Sequence, residues 1–134
     1  MLSLTVRRGM HATPDRLYRA LTEEWGAWFA RPESVVMEPV VGKPFYFDVE
    51  VEGDRFPHYG RFLDLKPVHY VVLTWVTGPM GTKGAETVVT FDMHLDNAET
   101  LLTLTHAGFA DEESRERHAE SWPHVLDRLD EKTR

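Results

Sequence analysis

Leu2, Leu4 and Val6 alternate with Ser3, Thr5 and Arg7, a period of two that predicts a half-buried opening strand. The period then changes. Thr13-Pro14-Asp15 places a capping residue before a proline at the first helical position, and Leu17, Tyr18 and Leu21 follow at helical spacing, so a helix is expected from about Pro14 to Leu21. Thr22-Glu23-Glu24 opens a second short helix in which Trp25, Trp28 and Phe29 stand at i, i+3 and i+4, until Arg31-Pro32 stops it. From Ser34 the alternation returns, with six further strands over Val35 to Glu38, Phe45 to Val51, Tyr59 to Leu65, Tyr70 to Trp75, Thr87 to Leu95 and Thr100 to His106. Turn-forming stretches such as Val41-Gly42-Lys43-Pro44, Glu52-Gly53-Asp54 and Gly78-Pro79-Met80-Gly81 separate them. The chain closes on a helix with Trp122, Val125, Leu126 and Leu129 on one stripe, entered through Gly108 and a cap built from Asp111 and Ser114.

Connections this short join antiparallel neighbours, because a parallel crossover needs a dozen or more residues. The simplest assembly is an α+β fold: one curved, seven-stranded antiparallel sheet around the C-terminal helix, with two short helices between strands one and two. Alternation assigns Phe45, Phe47 and Val49 to the face gripping the helix. The same face takes Phe62 with Asp64, Val71 with Leu73 and Trp75, Val89 through Phe91 and Met93 to Leu95, and Leu102 with Leu104 and His106. Pro123 lacks the amide hydrogen that would bond Ala119, which predicts a local bend there.

At 134 residues the chain fits one domain spanning residues 1–134. Its formal charge of −7 argues against nucleic acid as a partner, since binders of polyanions carry basic stripes. Cysteine is absent, which excludes disulfides and a thiolate nucleophile and fits a reducing compartment. With no apolar run near 18 residues and no signal-peptide pattern, a cytoplasmic protein without a membrane partner is expected.

Across nearly the whole chain the order of motifs resembles the helix-grip superfamily, also called SRPBCC, START-like or Bet v 1-like. Its local sequence is similar to the branch named after the C-terminal domain of the activator of Hsp90 ATPase. The residues that carry this are Ala12 to Thr22 with Trp28, Val41-Gly42-Lys43-Pro44-Phe45, Gly60 to Leu65 and Val72 to Trp75. Thr87 to Phe91 and Leu102 to Phe109, followed by Trp122 and Leu126, complete the set. The resemblance implies a cavity between sheet and helix. It implies no single activity, because relatives include carriers of lipids and hormones, polyketide cyclases, oxygenase domains and a co-chaperone.

Aromatic residues that alternation and helical spacing turn toward that space are Trp28, Phe47, Phe62, Trp75, Phe91 and Trp122. Among polar groups, His106 ends the inner face of the last strand, and His118 stands four residues before Trp122 on the same side of the helix. Together they are expected at the cavity mouth, where imidazoles exchange protons near neutral pH. Asp64 is the one acid in the middle of an assigned inner face. The seven histidines show no His-x3-His pair, so no metal is expected, and no serine stands in a Gly-x-Ser-x-Gly turn. Gly78 to Gly84 lacks the ending of a phosphate loop and reads as a lid over the cavity.

The function that follows is binding of a small hydrophobic ligand, aromatic, polyketide-like or acyl, without a cofactor, by Trp28, Phe47, Phe62, Trp75, Phe91, His106, His118 and Trp122. Two alternatives belong to other classes. One is an interaction module acting on a chaperone or other protein, as the Hsp90 activator does. The other is a cyclase or hydrolase with His106, His118 or Asp64 as acid or base. A monomer and a homodimer both remain open.

Overall fold

A computed structural model describes all of residues 1–134. Strand β1 (Ser3–Met10) leads into helices α1 (Pro14–Thr22) and α2 (Trp25–Trp28) and a single 3-10 turn (Pro32–Ser34). Strands β2 (Pro44–Val51), β3 (Asp54–Lys66), β4 (Tyr70–Trp75), β5 (Thr87–Asp96) and β6 (Glu99–Ala107) follow, and helix α3 (Glu112–Thr133) ends the chain. The sheet is antiparallel throughout, in the order β1-β6-β5-β4-β3-β2. No helix is long and apolar enough to cross a membrane.

The sheet has six strands, one fewer than the alternation predicts. Residues 35–38 contribute only an isolated bridge, Val36 to Tyr46. Their neighbours are fastened by side chains instead of a ladder. The Ser34 hydroxyl donates to the Arg31 carbonyl at 2.6 Å and accepts from the Asp48 amide at 2.9 Å, while the Arg31 guanidinium forks onto the Asp48 carboxylate at 2.8 and 3.0 Å. Pro39 then turns the chain away, and Gly42 bonds the Phe62 carbonyl, so a second ladder rung never forms.

Most inner-face assignments hold: Phe45, Phe47, Val49, Phe62, Val71, Leu73, Trp75, Val89, Phe91, Met93, Leu102, Leu104 and His106 are all buried. Two do not. Phe62 faces Leu73, yet Asp64 faces Val72, so Leu63 is an extra residue, a bulge that returns Asp64 to the outer face. There Asp64 is exposed and accepts a hydrogen bond from the Tyr70 hydroxyl at 2.9 Å. Leu95 is 59% exposed because the β5–β6 hairpin runs beyond the end of the core.

Trp25 is the centre of the aromatic core. Its ring stacks on Phe47 at 5.4 Å and lies 4.5 Å from Trp28 and 5.7 Å from Trp75. Both helix tryptophans satisfy their indole N–H on the end of α1, Trp25 to the Leu21 carbonyl at 2.7 Å and Trp28 to the Ala20 carbonyl at 3.0 Å. The four-residue α2 is thereby pinned to α1 and pressed into the sheet. At the far end, the fully buried Asp130 of α3 accepts from the His11 amide at 2.9 Å and from the Arg8 guanidinium at 3.3 Å, tying the helix to β1. The helix runs unbroken through the exposed Pro123.

Replacement Trp25→Ala removes the central indole of this cluster and its bond to α1. We expect a loss of about 3–5 kcal/mol in urea denaturation, and a loss under about 1 kcal/mol would show that the core collapses around the gap.

Candidate functional site

A cavity of about 700 Å³ opens between the β2–β3 hairpin, the β4–β5 loop and α3. Its buried floor is Val49, His58, Trp75, Thr77 and Trp122, and its exposed rim includes Val51, Arg55, Met80, Ser121, His124 and Arg128. Local sequence explains both walls. Glu52 and Gly53 both take positive φ, 52° and 86°, as a two-residue hairpin matched to strand twist requires, so β2 and β3 project together over the opening. On α3 the residues His118, Ser121, Val125 and Arg128 fall at i, i+3, i+7 and i+10 and form one stripe along the space.

The β4–β5 loop lines a third side with Thr77 to Gly81. Thr77 and Thr82 bond reciprocally, each amide to the other's hydroxyl at 2.8 and 2.7 Å. A Cβ on Gly81 would stand 2.0 Å from the Thr77 hydroxyl, so only glycine fits that turn. Lys83 latches the loop to the start of α3 through Asp111 at 2.9 Å and Glu113 at 2.6 Å. Asp111 also caps α3 through the Ser114 amide, the largest cause of a carboxyl held down to about 2.

Of the residues expected at the ligand, Trp75, His118 and Trp122 line this cavity. Trp28, Phe47, Phe62, Phe91 and His106 lie behind it, each 0 or 1% exposed in the packed core. Asp64 stands on the outer face, away from both histidines' cluster of rings. His106 and His118 do meet, edge to face at 4.8 Å, but only His118 reaches the space. Both nitrogens of His106 are engaged. Nδ1 accepts the Trp122 indole N–H at 3.0 Å, which leaves Nε2 as the donor to the Thr87 hydroxyl at 2.7 Å, and that hydroxyl donates to the Trp75 carbonyl at 2.5 Å. The ring is therefore a fixed tautomer, and burial first, then His118, pushes it down to about 2.

His58 and Phe29 belong to the wall and were not anticipated. His58 stacks on Phe47 at 5.0 Å with the edge of Trp75 at the same distance. Its Nδ1 donates to the Phe56 carbonyl at 2.8 Å, so Nε2 keeps its lone pair. Burial takes His58 down to about 4 against the opposing pull of that carbonyl. His118 repeats the pattern: Nδ1 donates to the Ser114 carbonyl at 2.7 Å, and burial lowers the ring's pKa. Two neutral imidazoles, one from β3 and one from α3, thus border the cavity with an unbonded ring nitrogen each. The signal for His58 was the inner-face alternation of Phe62 extended backward through Gly60 and His58 to Phe56, hidden by Pro57. No three His, Cys, Asp or Glu side chains come together as a metal site.

An antiparallel sheet curled about one long C-terminal helix, with a cavity between them, defines the helix-grip class. The particular family is equally plain: residues 11–133 match the model of the Activator of Hsp90 ATPase homolog 1-like proteins, and the chain belongs to that family. Among solved structures, a protein from Chromobacterium violaceum is similar at 20% identity with a TM-score of 0.83, covering 98% of this chain and 96% of that one. The Aha1 dimer from Colwellia psychrerythraea is similar at 22% identity and a TM-score of 0.73, covering 99% and 96%. DynU16, from the dynemicin biosynthetic locus, is similar at 17% identity and a TM-score of 0.77, covering 96% of this chain and 46% of that one. No curated protein matches the chain.

Trp122→Phe keeps an aromatic ring but removes the indole N–H, leaving the buried His106 acceptor without its donor. A loss of about 1–3 kcal/mol is expected in chemical denaturation, and no measurable loss would show the bond carries nothing. The histidines also set an acid limit. His58, His106 and His118 all have folded values below the unfolded value of about 6.5. The unfolded chain therefore binds more protons as pH falls through that value, and stability must decline from pH 6.5 toward 4. Urea midpoints at pH 7 and 5 check this, with a slope of about 1.4 kcal/mol per pH unit for each proton taken up. Equal midpoints at the two values would contradict it.

Proposed function

We propose that the protein binds a small, largely aromatic molecule in the cavity under the β2–β3 hairpin. The observation that carries this reading is the cavity itself, whose about 700 Å³ falls in the range of small-molecule sites. Phe29, Phe56, Trp75 and Trp122 supply ring surface, and the Nε2 lone pairs of His58 and His118 favour a ligand bearing hydroxyl or N–H donors over a plain acyl chain. Trp75 and Trp122 report occupancy directly. Titration with naphthols, flavonoids and fatty acids should quench tryptophan fluorescence saturably for the phenolic probes. Val125→Trp, which fills the helix wall, should weaken binding more than tenfold while far-UV circular dichroism stays unchanged. Absence of saturable quenching in every class would remove the reading.

Membership in the Hsp90-activator family favours one second reading, an interaction module whose outer surface meets a partner protein or a second copy. ATPase turnover of a cognate Hsp90 with and without the protein decides that case, and an unchanged rate eliminates it.

A further inference from the structure

We propose that the ligand is an organic acid, held with its apolar body among the cavity's rings and its anionic group at the mouth against Arg128. The inference deepens the ligand-binding reading and rests on it. Asp and Glu number 22 in this chain against 15 Lys and Arg, giving a net charge of −7. Yet the 19 residues around the cavity include no acid at all, while Arg55, His58, His118, His124 and Arg128 are among them.

The asymmetry is built into α3. Glu112, Glu113, Glu116, Glu120, Asp127, Asp130 and Glu131 all lie on this helix, and none borders the cavity. Helical spacing puts His118, Ser121, Val125 and Arg128 on one stripe, with Glu116 and Asp127 more than a quarter-turn from its nearest member and Glu120 slightly less. Most arginines of the chain pair with a carboxylate, as Arg8, Arg31 and Arg117 do, but Arg128 and Arg55 form no ion pair. Glu50 is the cross-strand neighbour of Arg55 without pairing with it. Asp48, which feels Arg55 electrostatically, is already forked by Arg31.

A guanidinium at the edge of a low-dielectric cavity, facing no acid, is arranged to receive an oxyanion in a planar, two-bonded contact. The floor differs in kind. His58 and Trp75 there are buried, and neutral imidazole accepts hydrogen bonds without supplying positive charge. The cavity therefore has a polarity along its depth, donor-seeking inside and anion-seeking outside, which orients an acid head outward.

The test uses the full chain and matched probes that differ only in charge: 6-hydroxy-2-naphthoate against 6-hydroxy-2-naphthamide, and dodecanoate against dodecanamide below its aggregation limit. Dissociation constants come from tryptophan quenching at pH 7.5. The acid should bind about tenfold more tightly than its amide, equivalent to about 1.4 kcal/mol, and the preference should shrink as sodium chloride is raised. Arg128→Gln should erase most of the preference, weakening the acid far more than the amide with the unfolding midpoint in place, and Arg128→Glu should reverse it. Arg55→Gln measures the share of the opposite wall. Amides that bind as tightly as acids, or an acid preference untouched by Arg128→Gln, would overturn the inference and leave the ligand-binding reading standing. Failure of all four probes to bind would count against both.

Discussion

The bond from the Trp122 indole to His106 holds the molecule in its working shape. One N–H, 3.0 Å from an imidazole nitrogen, joins α3 to β6. It fixes the tautomer of that imidazole, which donates in turn to Thr87 on β5, whose hydroxyl closes on the backbone of Trp75 in β4. Four elements are linked by three hydrogen bonds that run in a single direction. Each polar group along this line has a partner, which is the condition for placing polar atoms in a core. Trp75 and Trp122, the two ends of the chain, lie 5.3 Å apart and form the cavity floor.

Around this line the helix is secured at both ends. Asp111 caps its start and, through Lys83, holds the β4–β5 loop. Asp130 anchors its end to β1. Between these anchors the face of α3 nearest β2 and β3 has no sheet residue packed on it closely enough to fill the space, and the cavity is the result. Beside the cavity Trp25 gathers Trp28, Phe47 and Trp75, the last of which is also part of the cavity floor. The fold therefore sets a packed aromatic cluster beside an open space, and the ligand-binding reading belongs to the open side.

His106 shows why composition alone misleads about chemistry. As a histidine on an inner face beside a helix histidine, it reads as an acid or base at a cavity mouth. Its surroundings spend both nitrogens on structure. His118 and His58 have the same side chain and a different fate, because each gives one nitrogen to a backbone carbonyl and keeps the other free. Local hydrogen-bond geometry, set by neighbours distant in sequence, separates scaffold from site.

Period, caps and turn residues determined by themselves the order of the elements, the antiparallel connections, the Asp111 cap and nearly all of the buried face, since each depends on residues within a few positions of one another. Of the cavity they determined Trp75, His118 and Trp122. Tertiary structure alone decided the rest. A one-residue bulge at Leu63 moved Asp64 outside, because pairing with β4 and not alternation within β3 sets that face. Side-chain bonds among Arg31, Ser34 and Asp48 replaced a seventh strand. Which inward aromatics become solid core and which border open space depends on how far α3 stands from each strand, a distance summed over the whole packing and written in no local pattern.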